Sequence, residues 1–499
     1  MSIKKIYIIL FLFLSSISWG QVPGPYVLAD FSEKDLGKML EICRQGGFEY
    51  LIQKTPFSTY GHYNWNEAFA PQGETSVKRM IATAEEAGVH LGVWVHENAI
   101  DTDDSYFSPE YFKQYRKGGR LQLYDGISAD ETTIAMRRTD ALNTSSTLNL
   151  IMIDDELVSY ATMEGSGELT LIHRCTRGAF GTKATAHGVH AEAYRIWGSP
   201  ENFVEPEGEL RDMVRDRLEQ QLQYFQVKLY QGEGGQHWID ESIRVSQVER
   251  WEQESPSSLG LFLIRARDQR RAGTSMDELE WMLSKAASFD AGYGLVIDPK
   301  AMTNHGMLDD MLETMSRWNH LLRTDAFSEQ QRQMLRDPYL DWHLEQVDSL
   351  NYYYLYEQNV SRRFRCNFEE NDLGVLQSET WTWNAEEEGG FGLRIQVEGE
   401  VEILNPMVNT SKGLVMFPCA LKPGQRLLYD FGETARVVDA DDHQLDEVVI
   451  EGLAELDKDD SEVYFLCEVD PLATKRPVVT LRYVTRSLQM VKKMERYPY

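Results

Sequence analysis

Glu97, Glu233 and Asp298 each follow an apolar run: VHLGVWVHENAI (89–100), FQVKLYQGEGG (225–235) and GYGLVIDPKAM (292–302). His96 and Asn98 flank the first carboxylate, and Gln231, His237 and Trp238 surround the second. Lys54, His62 and Tyr63 follow a fourth apolar run, and Arg265 a fifth. Two carboxyl groups held at a set separation can protonate a leaving oxygen and supply a base or nucleophile, the chemistry of glycosidic cleavage. Amides and imidazoles hold hydroxyls, and Tyr63 and Trp238 offer flat rings to the C–H faces of a sugar. Glu233 is the first choice for acid or base, with Asp298 or Glu97 as the partner. Lys54, His62, Tyr63, His96, Asn98, Gln231, His237, Trp238 and Arg265 are the expected substrate contacts.

Each of these residues also has a structural reading. His96 suits a satisfied core histidine, Glu97 a solvent-facing acid, and Asp298 before Pro299 a turn. The rings at 60–65 suit a lid. The three glycines around Glu233 permit close backbone approach. The run Arg265, Arg267, Arg270 and Arg271 suits a uronic acid or sulfated sugar, or equally a solvated helix start.

The elements that must position these groups alternate in type. Apolar runs at 25–31, 48–57, 89–100, about 225–230, 258–268 and 292–302 read as six strands. Helical patterns occupy 75–88, 207–225, 276–289 and about 306–322. Strands alternating with helices imply parallel pairing through right-handed crossovers. The expected class is α/β, a (β/α)8 barrel, possibly distorted, over 21–124 and 198–345, with functional groups at the carboxyl ends of its strands. A doubly wound open sheet is the rival, weakened because no G-x-G-x-x-G follows the first strand. Short β-type runs and turns at 125–197 imply a small inserted β module. From 346 to 499 the β-rich texture implies a C-terminal sandwich.

Composition narrows the partners. The chain has 499 residues and a formal charge of −29. Nucleic acid is not expected to bind so acidic a protein. Residues 1–20 (Lys4, Lys5, a short apolar run, small residues before Gly20) read as a signal peptide, giving an exported protein, periplasmic or secreted, with no membrane span. Loss of the two lysines brings the charge to about −31. The five cysteines show no C-x-x-C, which excludes a dense disulfide scaffold and zinc spacing, with a Cys419–Cys467 bridge left open. RGAFGTKAT lacks the phosphate-loop spacing, His187 and His190 alone do not make a metal site, and neither G-x-S-x-G nor H-E-x-x-H occurs. Neither cofactor nor metal is expected.

The stretches TPFSTYGHYN (55–64), VHENAIDTDDSYFSP (95–109), DDELVSYATMEGSGELTLIHRCTRGAFGTKATAH (154–187) and FQVKLYQGEGG (225–235) carry a family resemblance. Together they resemble exported, glycoside-hydrolase-like barrel proteins of bacterial polysaccharide-utilisation clusters. The resemblance implies a barrel with an inserted β module and a C-terminal sandwich, acting on a polysaccharide or its oligosaccharides. It also implies an F-D-G-x-E-like sequence after the fourth strand. Here that place reads Tyr230-Gln231-Gly232-Glu233, and an amide at Gln231 can be neither nucleophile nor base. Hydrolysis is the leading expectation. A polysaccharide lyase acting on a uronic-acid polymer and a non-catalytic glycan-binding protein are the alternatives.

Overall fold

The computed structural model describes residues 24–143, 148–199, 202–230, 237–347, 352–371, 374–385 and 388–493. The proposed leader at 1–20 and the pair Gln231 and Glu233 lie outside the described residues. In chain order the elements are β1 (Tyr26–Ala29), α1 (Leu36–Gly46), β2 (Tyr50–Gln53), α2 (Glu74–Glu86) and β3 (His90–Val95). Next come β4 (Lys117–Leu121), β5 (Thr133–Arg137), β6 (Leu150–Ile153), β7 (Glu156–Ser159), β8 (Thr162–Ser166), β9 (Leu169–His173) and β10 (Ala193–Ile196). They are followed by α3 (Gly208–Leu222), β11 (Val227–Tyr230), α4 (Arg244–Glu254), β12 (Ser258–Ile264), α5 (Met276–Phe289) and β13 (Gly292–Ile297). The series closes with α6 (Ala301–Asn304), α7 (Leu308–Arg323), α8 (Glu329–Leu335), β14 (Asp341–Val347) and β15 (Tyr352–Val360).

The described chain forms two compact units, one holding 30–36 and 52–230, the other 24–29, 37–51 and 237–493. In the first unit β11 pairs in parallel with β3, Val227 opposite Gly92 and Tyr230 opposite Val95. A Cβ at Gly92 would lie 2.9 Å from the Val227 carbonyl oxygen, so the close approach needs glycine. Helix α3 buries Leu210, Val214, Leu218 and Leu222, a stripe at four-residue spacing. The stretch 117–196 is antiparallel: β4, β10, β6 and β7 make one sheet, and β5, β9 and β8 another. Leu123, Ile134, Met136, Ile151, Ile153, Val158 and Ile172 form their shared core.

In the second unit β1 pairs in parallel with β13, and β13 with β12. Helix α5 begins with a reciprocal Ser275–Glu278 capping box and is buried along most of its length. Fully buried Lys285 donates from Nζ to the carbonyls of Leu335 (2.6 Å) and Asp337 (2.5 Å), serving the orphan acceptors at the end of α8. The region from β14 onward builds two eight-stranded antiparallel sheets. Leu393, Ile395 and Leu481 of one meet Val408, Phe465 and Val463 of the other in a single core, a sandwich arrangement. Cys419 and Cys467 are both free thiols.

The expected closed barrel is corrected. The parallel sheet has six strands, ending at β11 and β12, and no ring of eight closes among the described residues. Among the described residues the parallel pairing continues beyond β12 only as a bridge between Trp238 and Leu261. The stretch 117–196 is committed to antiparallel sheets, and after α8 the chain enters β14, which pairs with β15. The parallel strands form half a barrel.

Candidate functional site

In the first unit two loops beyond β2 and β3 are tied together. The Tyr60 amide donates to Asp101 Oδ2 (2.7 Å), and the Asp101 amide donates to the Tyr60 carbonyl (3.0 Å). Asp104, almost wholly buried, accepts from the His62 amide at Oδ2 (2.9 Å) and from the Tyr106 amide at Oδ1 (2.8 Å). Its Oδ1 also meets His62 Nδ1 at 2.7 Å. Gly61 makes this approach feasible: at φ +113° it bears no side chain, and a Cβ would stand 2.8 Å from the Asp104 carboxyl. The His62 ring lies flat on half-buried Tyr106, centroids 3.8 Å apart, and its carbonyl accepts from Arg217 Nε (3.0 Å). With Nδ1 fixed on a carboxylate, Nε2 is the ring atom left for a ligand.

Tyr63 is fully buried, its hydroxyl donating to the His96 carbonyl (2.9 Å) and its ring against Phe57 and Tyr60. Burial gives it a framework role in place of the sugar platform expected from sequence. Burial raises its hydroxyl far above the ordinary tyrosine range, and the charges of Glu97 and Asp104 push the same way. The Tyr60 hydroxyl is likewise raised, by burial first and then by Asp101 and Asp30. Half-buried His96 sets its ring edge-on against Tyr60 and Phe203. Asn98, at φ 55°, turns the chain directly after exposed Glu97. Lys54 is exposed.

Asp101 departs most from an ordinary aspartate here. Desolvation raises its pKa, the Tyr60 amide opposes that, and Asp104 and Asp103 add to it by repulsion. A carboxyl so placed keeps its proton to higher pH, as a general acid requires. Asp30, directly after β1 and accepting from Thr55 Oγ1, and Glu97, Asp101 and Asp104, after β3, are the four carboxylates of these loops. Sequence reading passed over three of these four. Asp30 could have been found by the rule that identified Glu97, since both directly follow parallel strands. No spacing rule would have joined Asp104 to His62, 42 residues earlier.

The second unit holds the remaining described candidates. Trp238 is 54% exposed, its backbone bridged to Leu261 and its carbonyl accepting from Gln247 Nε2 (2.9 Å), so a wide ring face is open. His237 is exposed, and its carbonyl accepts from the Leu261 amide. Asp298 accepts at Oδ1 from the Lys300 amide (2.8 Å), a local turn bond. Arg265 is spent on Glu278 through two parallel bonds of 2.8 and 2.7 Å, and its Nε donates to the Ala272 carbonyl. Its expected role as a substrate cation is replaced by a structural one. No cluster of metal-ligating side chains occurs among the described residues, and none of their helices is long and apolar enough to cross a membrane.

The stretch 154–187 has its own polar centre. Glu156, fully buried, takes Arg177 Nε and Nη2 on its two oxygens (2.8 Å each), His187 Nε2 (2.8 Å), and the amides of Gly178 (2.7 Å) and Thr185 (3.1 Å). RGAFGTKAT thus wraps a carboxylate belonging to its own chain.

No protein-family model and no curated protein matches the chain. Solved structures similar to it include an Anoxybacillus alpha-amylase, at 9% identity over 90% of this chain and 99% of that one, TM-score 0.34. The GH36 alpha-galactosidase AgaA from Geobacillus stearothermophilus is similar at 10% identity and TM-score 0.30, over 90% of this chain and 55% of that one. Bacillus licheniformis trehalose-6-phosphate hydrolase is similar at 8% identity and TM-score 0.26, over 89% and 99%. These neighbours are glycoside hydrolases, but at such identities and TM-scores the likeness carries no argument about the reaction of this chain.

Proposed function

We infer that the protein is an exported glycoside hydrolase that cleaves glycosidic bonds in a polysaccharide or its oligosaccharides. The observation that carries this reading is His62 held by buried Asp104, with Asp101, whose pKa burial raises, tied to Tyr60 and exposed Glu97 on the same loop. Asp101 is assigned the acid and Glu97 the base or nucleophile. His62 Nε2, His96 and Asn98 hold hydroxyls, and Tyr106 offers a ring face. Glu233 remains proposed as an alternative acid or base, with Gln231 and Lys54 as substrate contacts; on the second unit, taken by itself, Asp298 is proposed as a carboxylate and His237 and Trp238 as substrate contacts. A lyase needs a cation beside its base to neutralise a uronate; Arg265 is paired with Glu278, and exposed Lys54 is the cation left for that reading.

The test is to incubate the purified chain with a panel of plant, algal and host polysaccharides and separate the products. Saturated oligosaccharides with new reducing ends are expected. Unsaturated, ultraviolet-absorbing ends would replace the reading with a lyase, and binding without product would replace it with a non-catalytic glycan-binding protein.

A further inference from the structure

The sandwich carries a groove where the chain leaves one sheet for the other. Phe364 and Arg365 pair with Leu481 and Thr480, and Phe368 opens the first strand of the second sheet. The groove measures about 480 Å³ and is lined by Arg365, Cys366, Asn367, Phe368, Arg476, Pro477 and Val478. Arg365 and Arg476 are exposed, and neither has a carboxylate partner among the described residues. Arg177, Arg265, Arg394, Arg426 and Arg436, by contrast, are each ion-paired. Exposed Glu369 and Glu370 follow Phe368 on the same strand. Lys475 pairs with Glu400 (2.6 Å), and Glu379 is occupied by the amide and the Nδ2 of Asn367 (2.8 and 3.0 Å). Arg362 lies over the Phe364 ring at 5.3 Å, adding positive charge along the same segment.

We propose that this groove is a second, non-catalytic binding site that takes an anionic saccharide through the guanidinium groups of Arg365 and Arg476. Guanidinium forks match the two or three oxygens of a carboxylate or sulfate ester, and half-buried Phe368 and Val478 give apolar surface for the sugar ring. The saccharide identity of the ligand rests on the carbohydrate reading above; the anion preference rests on the groove alone. Such a site would hold a charged polymer against an acidic protein that otherwise repels it.

The experiment is calorimetric titration of the full chain with oligogalacturonate, dextran sulfate and neutral dextran, alongside the R365Q/R476Q double variant. Binding of at least one anionic polymer is expected, weakened about tenfold or more in the double variant at an unchanged melting temperature. Oligogalacturonate alone would identify a carboxylate ligand, and dextran sulfate alone a sulfate ester. Equal affinity for neutral dextran, no binding of either anion, or wild-type affinity in the double variant would overturn the proposal. Product formation from the polysaccharide panel reads the catalytic proposal separately, so either can fail alone.

Discussion

His62 is useful to a ligand only while its ring is held. Asp104 does this with three contacts at once: His62 Nδ1, the His62 amide and the Tyr106 amide. Asp104 is therefore a positioning residue. D104N is expected to raise KM about tenfold, roughly 1.4 kcal/mol of lost binding, with kcat kept within about twofold. A fall in kcat at unchanged KM would contradict the assignment. The Arg265–Glu278 pair makes the opposite prediction. R265Q should lower the melting temperature by a few degrees, the partly buried Glu278 having lost its partner, and leave KM unaffected. A large KM effect would return Arg265 to the substrate. Legibility at this scale followed sequence distance. Glu97 could be picked out because its strand is a continuous apolar run. The fates of Arg265 and Tyr63 could not, because a partner thirteen residues away and complete burial leave no local trace.

The element scale was more legible where burial is periodic. All six parallel strands coincide with apolar runs, and the α5 pattern at 276–289 matches Met276–Phe289. Helix α4 escaped notice because it buries only Gln247, Val248 and Trp251 on a charged background. The barrel expectation failed because the span 21–124 and 198–345 holds six parallel strands and not eight among the described residues. The antiparallel stretch 117–196 rests on Glu156, invisible from sequence because Arg177 and His187 are 21 and 31 residues away. Burial disfavours its charge, but Arg177, His187 and the amides of Thr185 and Gly178 outweigh that and lower its pKa to about 2. A depressed carboxylate contributes stability that is fully present above its unfolded value, about 4.5, and is lost as pH falls through about 2. The contribution is on the order of 3 kcal/mol. Acid titration followed by circular dichroism should show this stretch losing structure between these values. E156Q should remove that dependence and destabilise by about 3 kcal/mol or more, since Arg177 would be left buried without a counter-charge. An unchanged acid transition would contradict the account.

At the scale of the whole molecule, the two kinds of sheet divide the labour. In the first unit the loops beyond β2 and β3 carry carboxylates and imidazoles, and in the second unit Trp238 exposes its indole. The antiparallel sheets carry a buried charge knot in 117–196 and a basic groove in the C-terminal sandwich. Half-barrel strands buried on most positions supply rigidity, and the loops beyond β2 and β3 supply reactive groups. Glu97 is proposed to act on a glycosidic bond, so the initial rate of reducing-end release on the best polysaccharide from the panel separates wild type from E97Q. In a folded variant kcat is expected to fall about 10²- to 10⁴-fold. Wild-type turnover by E97Q would contradict it.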